Sequence, residues 1–133
     1  MKQEDKELLL KDLCARLPYG LIIHLVESNE DEELYCLNIP QEGLYTRNLE
    51  YNNVTTLSPI EGIKPYLRPI SSITEDDIKE LCKIDEKRLI FSSRHLTYRL
   101  DGEVVDYLNS HHFDYRRLIE NGLALEAPEG MYI

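Results

Sequence analysis

A chain of 133 residues, 42% hydrophobic and 30% charged, has the size and composition of one domain that buries its own core, which excludes a disordered or low-complexity chain. Its formal charge of −10 is uneven: residues 19–62 set eight acids against Arg47 alone, whereas residues 63–100 set eight bases against six acids. The acidic first half repels phosphate backbones, so no direct nucleic-acid binding is expected. The longest apolar stretch, residues 21–26, already contains His24 and falls far short of the ~20 residues a membrane span needs.

Residues 3–17 predict an amphipathic helix. Leu10, Leu13, Cys14 and Leu17 recur at helical spacing, and acids at its start with Lys11 and Arg16 near its end suit the helix dipole. Pro18 ends it, because the residue before a proline disfavours helical geometry. Residues 21–27 read as a strand covered on most of both faces, and the charged loop 28–32 leads to a second strand, 33–39. The acids of residues 30–33 lack the alternating ligands and glycine of a calcium loop, and are expected at a solvated hairpin tip. Residues 44–46 and 54–57 have strand composition, with Asn52-Asn53 as a turn.

Pro59, Pro65 and Pro69 punctuate the next segment, so residues 60–67 are expected to form an irregular or 3₁₀ turn and the rest a connector. Thr74 offers an N-cap with Asp77 three residues on, opening a helix over 75–84 with Ile78, Leu81 and Cys82 inward. Residues 87–100 read as a hairpin around Ser92-Ser93, and residues 103–110 as a short helix with Val104, Val105 and Leu108 inward. Asp114 is placed to cap a last helix over 115–120, with Gly122 just past its end and an extended tail beyond. The predicted fold is therefore α+β in one domain over residues 1–133: an N-terminal helix, a small antiparallel sheet or SH3-like barrel, and short C-terminal helices.

Three segments carry a resemblance: Leu17-Pro18-Tyr19-Gly20; Lys64-Pro65-Tyr66-Leu67-Arg68-Pro69 on through Thr74; and Tyr107-Leu108-Asn109-Ser110-His111-His112-Phe113-Asp114-Tyr115-Arg116 on through Gly122 to Tyr132. Over most of the chain they resemble an uncharacterised family of small proteins from gut Bacteroidetes and their phages or mobile elements. Members of that family carry Trp where Tyr107 stands and Gly where Arg117 stands. The family has no known activity, so the resemblance implies an origin and a compartment and no chemistry.

The segment from His111 to Arg117 holds the most suggestive chemistry. His111, His112 and Asp114 could bind a metal, or act as acid and base on a phosphate held by Arg68 or Arg116. Adjacent histidines on a loop diverge, however, and no third ligand stands at a metal-binding spacing. The simpler reading is a helix–turn–helix corner in which Asp114 caps the incoming helix and the arginines are solvated. A DNA-reading corner is disfavoured by Glu120 and the acidic surroundings. Tyr66 and Arg68, set between prolines, either present a ring and a cation to a partner or belong to a rigid connector. His24 is expected in the core or at a sheet edge, and Cys14, Cys36 and Cys82 on apolar faces as reduced thiols. With a polar N-terminus that lacks a signal-peptide pattern, this points to the cytoplasm.

No phosphate-binding, dinucleotide, nucleophile-elbow or zinc motif occurs, so neither a catalytic set nor a metal or cofactor is expected. The leading expectation is a non-catalytic, acidic, tyrosine-rich module that binds a protein partner. Tyr66, Arg68, His111, His112, Asp114, Tyr115 and Arg116 are its candidate interaction residues. A small hydrolase or phosphotransfer enzyme at the His111-His112-Asp114 corner and a small-ligand-binding barrel are the alternatives.

Overall fold

The computed structural model describes residues 1–84, 90–91, 96–97 and 102–132. Helix α1 (Gln3–Arg16) buries Leu9, Asp12, Leu13 and Arg16. Its inward face is therefore turned from the predicted stripe: Cys14 is exposed, and Leu10 and Leu17 pack at the margin of the core. The reason is that Asp12 and Arg16 satisfy each other across one helical turn, so two charged residues occupy positions that a hydrophobic count assigns to solvent.

A 3₁₀ turn (Leu17–Tyr19) and Gly20, at φ 70°, lead into the sheet. Strands β1 (Ile22–Leu25), β2 (Glu30–Asn38) and β3 (Gly43–Arg47) form an antiparallel meander, and β4 (Ser58–Pro59) extends it. Strand β5 (Ile63–Leu67) returns to pair antiparallel with the other side of β1, and β8 (Leu125–Glu126) runs parallel to β5, giving the order β4-β3-β2-β1-β5-β8. Only residues 60–62 of the predicted 60–67 turn are 3₁₀; the remainder is β5. Pro65 is tolerated there because β8 pairs only with Tyr66 and Leu67, which leaves that side of Pro65 without a ladder partner.

The sheet is strongly curled. Pro59 ends β4 and Ile63 begins β5, yet three strands lie between them in the sheet order. Four residue steps reach at most about 14 Å, whereas a flat sheet would hold those strands about 19 Å apart. An irregularity between Leu34 and Cys36 adds to the bend by leaving Tyr35 as an extra residue on β2. The core inside the curl joins Leu9 and Leu13 of α1 to Leu21, Ile23, Leu34, Leu44, Ile63 and Leu67.

Strand β2 begins at Glu30, so the acids predicted at a hairpin tip are ladder residues. Glu32 points into the core and accepts a 2.7 Å hydrogen bond from Thr46 Oγ1. Helices α2 (Glu75–Ile84) and α3 (Gly102–Ser110) carry a second cluster, Leu81, Val104, Leu108 and Phe113. Strands β6 (Ile90–Phe91) and β7 (Leu96–Thr97) pair antiparallel as expected, while the Ser92-Ser93 turn lies outside the described residues. Residues 115–120 form turns rather than a helix, because Arg117 takes φ 60°, which breaks helical geometry.

Candidate functional site

The site begins with how α3 ends. The His112 amide bonds to the carbonyl of Asn109 (3.1 Å) and that of Phe113 to the carbonyl of Leu108 (2.9 Å), while His112 takes φ 60°. This is a Schellman cap with its apolar clasp, Phe113 on Leu108, and it puts a histidine where glycine is usual. A side chain in the left-handed region costs about 1 kcal/mol, and here the imidazole is put to use. Its Nε2 lies 2.9 Å from the Tyr19 carbonyl oxygen, which only accepts, so Nε2 carries the proton and Nδ1 is a bare lone pair. Nδ1 is buried and has no partner among the described residues, and the ring stacks on Tyr132 with centroids 4.0 Å apart. Burial pushes the imidazole down to about 4, aided by Arg16, His111 and Arg68 against the opposing Tyr19 bond.

The corner docks on the end of β5. The Arg68 amide donates to the His112 carbonyl at 2.7 Å, and the Asp114 amide donates to the Arg68 carbonyl at 2.8 Å, a parallel bridge that sets Arg68 beside Phe113. The Arg68 guanidinium lies over the Phe113 ring, 4.2 Å from its centroid, and donates from Nη2 to Asp77 at 3.3 Å. Asp77 also accepts from the Thr74 amide (3.0 Å), Thr74 Oγ1 (2.8 Å) and the Tyr107 hydroxyl (2.8 Å). Burial works to raise its carboxyl, but these bonds and Arg68 outweigh it and hold the group below its ordinary value. The same partnership, with burial leading, raises the Tyr107 phenol.

Arg68, His111 and His112 thus line one cleft of about 520 Å³, together with Tyr19, Asp77 and Tyr132. The His111 Nδ1–H donates to the Tyr107 carbonyl at 3.0 Å and the ring stacks on that of Tyr107, which leaves Nε2 without a partner among the described residues. A second cleft of about 400 Å³ meets the first at Arg68, Thr74 and Tyr132 and is walled by the tail, including Pro128 and Glu129.

The other nominated residues lie apart from this cleft. Asp114 is spent on backbone, accepting from the amides of Leu118 (2.8 Å) and Ile119 (3.0 Å). Arg116 turns back to Asp12, and the Tyr115 ring sits under both Arg116 and Arg16 while its hydroxyl donates to Asn109. Tyr66 projects from the outer face of β5, where its hydroxyl reaches Asp31 at 3.0 Å beside His24. His24 itself bonds Asp31 at 2.8 Å across the β1–β2 pair.

Sequence reasoning missed Asp12, Arg16, Asp77 and Tyr132 as parts of the site. The Asp12/Arg16 pair was visible as an i,i+4 couple flanked by Leu9 and Leu13; Tyr132 gave no local signal.

Seven of the eight exposed large hydrophobic side chains among the described residues fall between residues 19 and 54: Tyr35 lies on β2, and Tyr19, Val26, Ile39, Leu49, Tyr51 and Val54 lie in the segments that flank β1, β2 and β3. Tyr45 and Tyr66 alternate with buried neighbours on their strands and face the same side. Glu27, Glu30 and Glu50 are exposed nearby and carry no ion pair among the described residues, whereas Glu33 is held by Arg47.

Among the described residues no group of three His, Cys, Asp or Glu could hold a metal ion, and no helix is long and apolar enough to cross a membrane. No protein-family model, curated protein or solved structure matches the chain.

Proposed function

We propose that this protein is a non-catalytic interaction module that engages a basic segment of a partner protein through the outer face of its sheet. One observation carries the reading: the segment that holds eight acids against a single base also holds nearly all the exposed large apolar side chains. Their concentration in one stretch of sequence, with Glu27, Glu30 and Glu50 exposed and without an ion pair among the described residues, suits a partner with aliphatic stems and cationic heads. Tyrosine supplies large contact area at low entropic cost, which favours Tyr35 and Tyr51 as anchors. The resemblance to small proteins of gut Bacteroidetes and their mobile elements supports a sharper form of the proposal, in which residues 19–62 imitate nucleic-acid charge and occupy a basic site on a host protein.

The test is affinity capture from nuclease-treated host lysate, comparing low-salt and high-salt washes and the wild type with a Tyr35→Ala/Tyr51→Ala variant. Captured proteins are then purified and their direct binding measured. A basic partner bound at low salt, released at high salt and lost with the variant supports the proposal. Identical capture by wild type and variant in both washes overturns it.

A further inference from the structure

The Arg68 cleft is less acidic than the rest of this chain: Arg68 and Asp77 line it, while Glu126 and Glu129 line the adjoining cleft that shares Arg68. Arg16 from α1, Arg68 from the end of β5 and His111 from its own corner all act to keep His112 neutral, with the neutral Tyr132 stacked across it. Asp77, the one carboxylate lining the cleft, already accepts from Thr74 and Tyr107, and its 3.3 Å contact with Arg68 is longer than the 2.7–2.9 Å of a strong charge-assisted bond. Arg68 is therefore held in place from one side by Asp77 and from below by Phe113, and among the described residues Nε and Nη1 have no acceptor. Two imidazole nitrogens, His111 Nε2 and the buried His112 Nδ1, have no partner among the described residues, and His112 sits at a position whose backbone favours glycine. A strained residue that carries a buried, unsatisfied nitrogen beside a positioned guanidinium marks a place built to receive something.

We infer that this cleft binds a small ligand presenting one oxyanion, a carboxylate or a phosphate, to Arg68, and a hydroxyl or amine to His111 Nε2. The cleft's volume of about 520 Å³ suits a molecule of a few carbon atoms with room for water. The acidic exterior repels polyanions, so a short ligand bearing a single anionic group is selected over a nucleic-acid strand.

The experiment is a titration of the ¹³C-labelled full chain at constant ionic strength, reading the Cε1–H signals of His111 and His112. The probes are glycerol 3-phosphate, glycerate and, as the neutral control, glycerol. Saturable shifts with a dissociation constant of about 1 mM or tighter are expected for one or both anions and not for glycerol. A response to glycerol 3-phosphate alone assigns a phosphate ligand, and a response to glycerate alone assigns a carboxylate. Arg68→Gln should weaken binding about tenfold, while Lys79→Gln, on the exposed side of α2, should leave it unchanged. If Arg68→Gln does not fold, His111→Ala decides, with severalfold weaker binding expected. No saturable shift with either anion, or undiminished affinity in the variant that folds, overturns the inference.

Discussion

Arg16 Nη2 lies 2.6 Å from the carbonyl oxygen of Phe113, a bond between residues 97 apart in the chain that ties the first helix to the corner after the last one. The same guanidinium holds Asp12 through two bonds, of 2.8 and 3.1 Å, and Asp12 accepts a third from Arg116 at 2.8 Å. Asp12 and Arg16 have no exposure at all, so this network is a buried ionic knot between α1 and the corner after α3.

Breaking that knot on one side should be costly. Asp12→Ala leaves Arg16 buried without its carboxylate, and a loss of about 3–5 kcal/mol is expected in urea unfolding. The double change Asp12→Leu/Arg16→Met removes both charges and should recover most of that loss. A double variant as unstable as Asp12→Ala would mean that the Phe113 bond, not charge pairing, dominates.

Stability should fall on mild acidification because of His112. Its folded value of about 4 lies below the ordinary 6.5, so between those values the unfolded chain binds the extra proton and stability rises with pH. The contribution is fully present above pH 6.5, is lost progressively toward pH 4, and amounts to about 3 kcal/mol. Chemical denaturation from pH 7.5 to 4.5 measures the slope, and His112→Gln should flatten it in that window. Asp77 acts in a lower range: its depressed carboxyl withdraws stability only as pH falls below the ordinary 3.8.

The same residue tests the helix cap. His112→Ala loses the Tyr19 bond and the Tyr132 stack and keeps the left-handed strain, whereas His112→Gly loses the same contacts and relieves the strain. The glycine variant should be the more stable of the two by about 1 kcal/mol. Equal stabilities would show that the strained backbone is not a cost at this corner.

Thr74 and Asp77 form a reciprocal cap on α2, with Thr74 Oγ1 also accepting from the Asp77 amide at 3.2 Å. Thr74→Ala should cost about 1 kcal/mol. Asp77→Ala also strands the Tyr107 hydroxyl and the Arg68 guanidinium, and should cost about 2–4 kcal/mol. Thermal melts of both variants decide whether Asp77 is a hub or only a cap.

Two glycines should respond in opposite directions. A Cβ on Gly43 would stand 2.8 Å from the Ser58 carbonyl oxygen and 3.0 Å from Leu57, where the β3–β4 backbones meet, so Gly43→Ala should destabilise by about 1–3 kcal/mol. A Cβ on Gly102 meets nothing within 4 Å at the start of α3, and Gly102→Ala should be neutral or stabilising by about 0.5 kcal/mol.

Local signals by themselves determined the three helices to within a residue or two at their ends, the Thr74 cap, the β1–β2 hairpin and the α+β class, because helical period, proline stops and capping spacings act between residues a few positions apart. They also marked the two segments that carry Arg68 and the His111–His112 pair. Only the tertiary structure decided that these segments meet, since two backbone bonds between Arg68 and the corner 44 residues later bring the guanidinium and the imidazoles to one cleft. It likewise made residues 63–67, expected in an irregular or 3₁₀ turn, into a strand, because the pairing that defines them comes from β1 and β8, about 40 to 60 residues away on either side. Asp12, Arg16 and Glu32 read as solvent-facing for the same reason: a buried charge is legible only once the group that satisfies it, here Phe113, Arg116 or Thr46, is known to be near.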